Sequence, residues 1–375
     1  MKHLVIDARL YGSTHTGIGR YTKNLLIALT KIPDFQKIKT TLIVYPELLK
    51  EIKKDLGSNF SYITTTIKHY SIQEQLYLPF LLYRLKPDLI HFTHFNKPLL
   101  YFGNSVVTIH DLIKHFFHGR ETTTKNSFLY WPKYLAYLLV TNIVIKTSNI
   151  IVPSNFWRDY LMKNYRISPQ KITTTYEAVD PKFLNVIANP QLRVKQSPPQ
   201  NYLIYTGNLY PHKNIKVIIE ALQKLPDLKL KIICARSVFS QRLETLIKKF
   251  RVENQVEFLG YLPDEEFQKI YREALALVHP SLMEGFSLTG LEAMALNCPV
   301  ISSNTSCLPE IYGEKSVLYF DPYSPDDLVE KINQLRSSAN LRSKLIEQGH
   351  LQVSKYSWSE TAQQTLKIYE NCIVL

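Results

Sequence analysis

Cysteine is scarce in this chain: four in 375 residues, at Cys234, Cys298, Cys307 and Cys372, with no Cys-x-x-Cys and no histidine pair beside them. That argues against a disulfide framework and against a structural zinc site. Long apolar runs are missing too. The charge-free run 134–145 stops well short of the ~20 residues that cross a bilayer. Asp7 and Arg9 interrupt the start of the chain before a stretch of signal-peptide length forms, which argues against export. No Asp-x-Asp occurs, so an acidic metal clamp is not supported, and no Gly-x-Ser-x-Gly, so a Ser-His-Asp hydrolase has no nucleophile elbow. Charged residues are only 21% of the chain against 45% apolar, which excludes disorder as the main state. Carboxylates are in deficit, and unevenly so. Residues 1–180 hold 23 Lys and Arg against 12 Asp and Glu, whereas residues 181–375 hold 22 against 20. The first half is a basic body suited to an anionic partner; the second is nearly neutral.

What the chain does have is alternation. Short runs rich in β-branched residues predict strands at 4–8, 41–45, 62–65, 88–93, 105–110 and 149–153, and helical spacing predicts helices at 20–30, 72–85 and 157–164. The polar, Pro-rich stretch 189–200 (NPQLRVKQSPPQ) reads as a linker. The pattern then restarts with strands at 202–206, 230–234, 256–259, 276–279, 300–303 and 317–320, and helices at 215–225, 242–250 and 291–296. Nearly continuous apolar strands alternating with helices mean parallel sheets covered on both faces. The expected architecture is α/β: two doubly wound, Rossmann-like domains, 1–188 and 201–357. Ligands would sit beyond the carboxyl ends of the strands, in an interdomain cleft.

Three segments carry chemistry. The first strand leads into His15-Thr16-Gly17-Ile18-Gly19-Arg20-Tyr21. Gly17 and Gly19 permit positive φ and close backbone approach, and a helix start offers N–H groups to an anion. An ordinary strand-to-helix turn reads the same way, and a dinucleotide fingerprint is incomplete because position 22 is Thr. In the second half, Thr206-Gly207-Asn208 is followed by Pro211-His212-Lys213-Asn214. Lys213 at a helix start opposes the macrodipole unless a phosphate lies between it and the amides; a solvated loop lysine is the alternative.

The most specific stretch runs from Pro280 to Val300. It places Glu284, Gly285 and Phe286 in a loop and Glu292 in the first helical turns. The spacing lets both carboxylates face a cleft without sharing one site, where each can accept paired hydrogen bonds from the vicinal hydroxyls of a ribose or hexose. The amides of Ser287, Leu288 and Thr289 are placed to hold a diphosphate. Alternatively, Glu292 bridges its own helix and Glu284 is merely exposed. Asp264-Glu265-Glu266 reads as a helix cap, His91 and His94 as strand-end packing, and His115 and His118 as loop surface.

The segments EGFSLTGLE and EAMALNCPV resemble the signature of family 4 of the glycosyltransferases, which have the GT-B fold. The resemblance spans nearly the whole chain: GIGRY, His110-Asp111 after a strand, Val152 to Ser154, Ala178 to Asp180, GNLYPHKN, and Trp358 before a final helix. It implies a C-terminal helix, 358–375, that crosses back to the first domain. It also implies that Glu292 binds the nucleotide ribose, that Glu284 contacts the donor hexose, and that Lys213 neutralises the diphosphate with amides at Gly17, Leu288 and Thr289. His110 would sit near the transferred sugar. Many members carry Arg where Asn208 stands, so a second cation is missing here unless His212 or Arg20 supplies it.

The reading that follows is a retaining hexosyltransferase that needs no metal or other cofactor. Its expected donor is GDP-mannose, then UDP-glucose, and its acceptor a saccharide, free or linked to a polyprenyl diphosphate. No carboxylate stands out as a nucleophile, which favours front-face transfer through an oxocarbenium-like state over double displacement. The aromatic and lysine-bearing stretch 125–139 could meet an anionic membrane, or pack as an amphipathic helix on its own sheet. A cytoplasmic enzyme of polysaccharide biosynthesis, in peripheral contact with the inner face of the plasma membrane, is the expectation. The alternatives are a nucleotide-sugar epimerase on the same plan and a nonenzymatic nucleic-acid or anion binder; no helix-turn-helix, RNP-like or zinc-finger pattern supports the latter.

Overall fold

A computed structural model describes residues 2–12, 16–57, 60–119, 122, 130–188, 199–234 and 238–373. The chain divides into two compact units. The first takes residues 1–112, 128–177 and 357–375; the second takes 113–127 and 178–356.

The first unit is built on seven parallel strands: β1 (His3–Asp7), β2 (Lys39–Val44), β3 (Ser61–Thr64), β4 (Leu89–Phe92), β5 (Ser105–Thr108), β6 (Asn149–Val152) and β7 (Ile172–Thr174). Their order is β3-β2-β1-β4-β5-β6-β7. Leu4, Val5 and Ile6 are fully buried, as an apolar strand between two layers of helix must be. In register, Val5 lies between Thr41 and Ile90. Helix α1 (Thr16–Leu29) packs on the last helix of the chain, Trp358–Ile373, so the chain returns to this unit at its end. Tyr369 on that helix approaches His91 Nδ1 at 2.6 Å, and Thr361 donates to the Tyr176 carbonyl at 2.6 Å.

The second unit carries six parallel strands: β8 (Tyr202–Thr206), β9 (Lys229–Ile233), β10 (Val256–Phe258), β11 (Ala276–His279), β12 (Val300–Ser303) and β13 (Val317–Phe320). They run in the order β10-β9-β8-β11-β12-β13. Each sheet reverses its winding once, between β1 and β4 in the first and between β8 and β11 in the second. In open α/β sheets those points, at the carboxyl ends of the strands, are where ligands bind.

Several expectations change. The expected first domain ran to residue 188, but the helix Pro181–Ala188 belongs to the second unit, where it packs on the helix Leu288–Ala295. All but the last two residues of the expected linker fall outside the described residues. Strands 1, 2, 4 and 5 of the first sheet stop short of Ala8, Tyr45, Thr93 and His110, although the Ala8 N–H still donates to the Ile43 carbonyl at 2.9 Å. β7, three residues long, was not foreseen. Asp264, Glu265 and Glu266 form the first turn of the helix Asp264–Glu273, and its N-cap is Pro263; the carboxylates complement the helix dipole rather than cap it. His91 lies inside β4, fully buried, and His115 is half-buried in the short helix Ile113–Phe116. Among the described residues no helix is long and apolar enough to cross a membrane.

Candidate functional site

In the second unit two loops leave adjacent strands at the winding reversal. After β8, Gly207 takes φ +141°, and a short 3-10 turn, Pro211–Lys213, ends in Asn214 at φ +51°. The Asn214 side chain donates to the Pro322 carbonyl at 2.8 Å and fixes the turn. Lys213 therefore closes a 3-10 turn rather than opening a helix; the α-helix starts at Lys216. After β11, residues 280–287 lead into the helix Leu288–Ala295. The loops are tied together by the Leu282 N–H donating to the His212 carbonyl at 2.7 Å. That bond brings Lys213 Nζ within 2.6 Å of Glu284 Oε1.

Glu284 is buried and has a second partner, His279 Nε2, at 2.9 Å. Burial opposes its ionisation, yet Lys213 and His279 hold the carboxyl well below the usual range. His279 Nδ1 lies 2.7 Å from the Tyr312 hydroxyl, which donates to Ser287 Oγ at 2.8 Å and accepts from the Gly290 N–H at 3.1 Å. Ser287 stands at φ +77°, a region sparsely populated by residues other than glycine. Lys213, Glu284, His279, Tyr312 and Ser287 thus form one continuous polar chain. Burial of a hydrogen-bonded ion pair is tolerated only when its members satisfy each other, and here they do.

The rest of the predicted set gathers around this chain in different states. Gly285 and Thr289 are half-buried, while Phe286 and Leu288 are buried; Phe286 meets Tyr356 edge-on at 5.5 Å. Glu292 is buried on the helix Leu288–Ala295. Asn208 is exposed, its carbonyl taking the Tyr205 hydroxyl. His212 stacks on Tyr210, and burial together with the Lys213 charge pushes its pKa down to about 4. With that shift His212 is neutral near pH 7.

Gly17, Gly19 and His110 lie in the first unit. Both glycines are in α1, and neither takes the positive φ expected; Gly12, at +94°, does. Gly19 is needed for space, since a Cβ there would come within 1.9 Å of the Gly12 carbonyl oxygen. Gly17 is exposed and unencumbered. His110 Nδ1 approaches Glu177 at 3.2 Å and Nε2 the Thr93 carbonyl at 3.0 Å. Burial lowers the imidazole pKa, but the Glu177 carboxylate outweighs it and the net shift is upward.

Sequence reasoning missed His279 and Tyr312, although a histidine ending an apolar strand five residues before Glu284 was a visible signal. It also missed a buried cluster at the winding reversal of the first sheet. There Arg9 Nη2 lies 2.6 Å from Asp7 and 2.7 Å from Glu74, and all three side chains are nearly inaccessible. Asp7, His69 and Glu74 offer ligand atoms within 4.8 Å of one another, but the guanidinium already engages both carboxylates.

Comparison with known proteins closes the picture. A family model described as Glycosyltransferase Family 4 matches residues 15–183, and one described as Glycosyl transferases group 1 matches residues 190–352. Over 374 residues the chain is 26% identical to the O-antigen chain mannosyltransferase B of Escherichia coli, covering 95% of this chain and 96% of that one. It is 25% identical to the O-antigen chain mannosyltransferase RfbU of Salmonella typhimurium, over 85% and 87% of the two. Among solved structures, the sucrose-phosphate synthase of Thermosynechococcus elongatus superposes with a TM-score of 0.77 at 18% identity and full coverage of both chains. The lipopolysaccharide glycosyltransferase WaaG gives 0.70 at 16% identity, covering 98% of this chain and 99% of that one.

Proposed function

The chain belongs to the family 4 glycosyltransferases and has the GT-B fold, and we propose that it transfers mannose from GDP-mannose to a lipid-linked saccharide, with retention and without a metal ion. The observation that carries the reading is the Lys213–Glu284–His279 chain at the winding reversal of the second sheet. It offers an ionised carboxylate to the hydroxyls of a donor hexose. Beside it stands a cation for the charge that develops on a departing diphosphate, which is electrostatic stabilisation without a metal. Glu292, one helix further on, holds the ribose. Mannose is favoured over glucose because two relatives covering most of this chain are named mannosyltransferases. For retention, the departing diphosphate takes the proton of the acceptor hydroxyl on the same face, since Glu284 is already committed to Lys213 and His279.

The lipid part of the acceptor is supported by the surface of the first unit. Among the described residues, eleven of the sixteen exposed large apolar side chains fall on the helices Ile72–Leu85 and Tyr130–Thr147 and the segments adjoining them, from Tyr70 through Phe102 to Leu139. Neither helix exposes a carboxylate, while Arg84, Lys86 and Lys133 are exposed. An apolar face rimmed by cations suits an anionic bilayer surface.

The test is thermal shift with GDP, UDP, ADP and TDP, with and without magnesium, on wild type and Glu292→Ala. A stabilisation by GDP alone, independent of magnesium and lost in Glu292→Ala, is expected by mass action. A shift that needs magnesium, or one with UDP only, overturns the metal or donor assignment. Binding to anionic vesicles should disappear at high salt; indifference to lipid charge removes the membrane contact.

A further inference from the structure

We propose that Tyr70 is a stacking platform for a sugar ring of the acceptor, held at the winding reversal of the first sheet by a buried ion network. The proposal rests on the glycosyltransferase reading and adds a binding surface to it.

The network is Asp7, Arg9, Glu74 and Asn96. Arg9 is fully buried. It donates from Nε and Nη2 to the two oxygens of Asp7 at 2.8 and 2.6 Å, from Nη2 to Glu74 at 2.7 Å, and from Nη1 to the Ile67 carbonyl at 2.9 Å. Asn96 donates to the second oxygen of Glu74. Buried ion networks contribute little net stability, and fixing geometry is their best-attested use. What this one fixes is the loop 67–71. Arg9 grips Ile67. The Tyr45 hydroxyl lies 2.7 Å from His69 Nδ1 and accepts the His69 N–H at 3.1 Å. Glu74 accepts the Tyr70 N–H at 2.9 Å, and Ser71 caps the next helix by accepting the Glu74 N–H at 3.1 Å.

Tyr70 is thereby held at φ +58°, a conformation that persists for a bulky residue only when its surroundings impose it. Its side chain nevertheless stays 60% exposed, although one part of the ring lies against Phe95 at 6.0 Å. Its ring meets His94 edge-on at 5.7 Å, and His94 stacks on His110 at 6.2 Å. Tyr70, His94 and His110 thus form a row along the carboxyl edge of the sheet, beside the β1–β4 reversal, where sheets of this kind bind ligands. An exposed aromatic face takes the C–H face of a pyranose, and the phenol and imidazole groups at its rim suit the hydroxyls. Such a platform would seat the acceptor sugar one ring from His110.

Saturation-transfer NMR with methyl α-D-mannopyranoside tests this on wild type, Tyr70→Ala and Tyr70→Phe. Transfer to the sugar ring protons is expected in wild type and Tyr70→Phe, and at least roughly threefold weaker in Tyr70→Ala. Undiminished transfer in Tyr70→Ala, or none in wild type, overturns the platform. The GDP-induced thermal shift should be equal in all three proteins, since the donor residues lie elsewhere. If GDP gives no shift while the mannoside signal still depends on Tyr70, the donor reading falls and the platform stands. Should Tyr70→Ala fail to fold, Tyr70→Gly, which suits positive φ, serves in its place.

Discussion

Each unit buries a glutamate against a cation at the winding reversal of its sheet, and the two settle its charge in opposite directions. In the second unit Glu284 has Lys213 and His279 as partners and is held well below the usual carboxylate range. In the first, Glu74 shares one guanidinium with Asp7; burial pushes its pKa up to about 7 against the pull of Arg9. One cation per carboxylate gives a fixed charge, fit to receive hydroxyls at any physiological pH. Two carboxylates on one cation give a charge that answers to pH near neutrality. The adjustable one holds the loop 67–71.

The largest expected effect comes from breaking the fixed pair. Lys213→Ala leaves a buried carboxylate with His279 alone and takes away the cation beside the leaving group. Sugar-transfer kcat should fall by ~10²–10³, as for loss of a preorganised transition-state donor. Steady-state kinetics check this; a fall confined to KM would mean that Lys213 only binds.

A smaller loss is expected one step back in the chain. His279→Ala removes a hydrogen bond to a charged group, worth ~1.5–3 kcal/mol, and should lower kcat by about tenfold or more. Tyr312→Phe, which loses the contact to His279 but keeps the ring, should cost less. If Tyr312→Phe proves the more damaging, His279 is not held in the way the geometry indicates.

The smallest effect sharpens the contrast instead of breaking it. Glu74→Gln gives the first network one carboxylate per cation, like the second. A carboxyl whose folded pKa of about 7 lies above its ordinary 4.5 contributes stability below 4.5 and loses it as pH rises through 7. Glu74 should therefore account for a loss of order 1–2 kcal/mol, a few degrees in Tm, between about pH 6 and 8, so that Glu74→Gln shows a shallower fall by that amount while groups such as His110 titrate alike in both. Glu284 runs the other way: its contribution is present above 4.5 and is lost as pH falls below. Thermal melts across pH decide; parallel slopes for the two proteins would show that Glu74 stays ionised.

Much of the fold was legible. Parallel, doubly buried strands leave unbroken apolar runs, and twelve of the thirteen strands among the described residues could be read from them; β7 escaped because Ile172-Thr173-Thr174 carries only one apolar residue. The site was legible where chemistry sits within one segment, as in 284–292. It was not legible where residues meet through the sheet. Tyr312 reaches His279 across 33 residues, and Glu74 reaches Arg9 across 65. Nothing local announces either pairing. The charge of His212 was not legible for a related reason: it depends on burial and on its neighbour Lys213, neither of which composition reveals.

The closing helix, Trp358–Ile373, has a consequence for how the protein is made. Its residues complete the first unit, giving that sheet a partner for His91 and a neighbour for α1, yet they leave the ribosome after the entire second unit. During synthesis the earlier segments of the first unit, 1–112 and 128–177, must wait without this helix while the rest of the second unit is translated. A stop codon just before Trp358 would spare the second unit and strand the first.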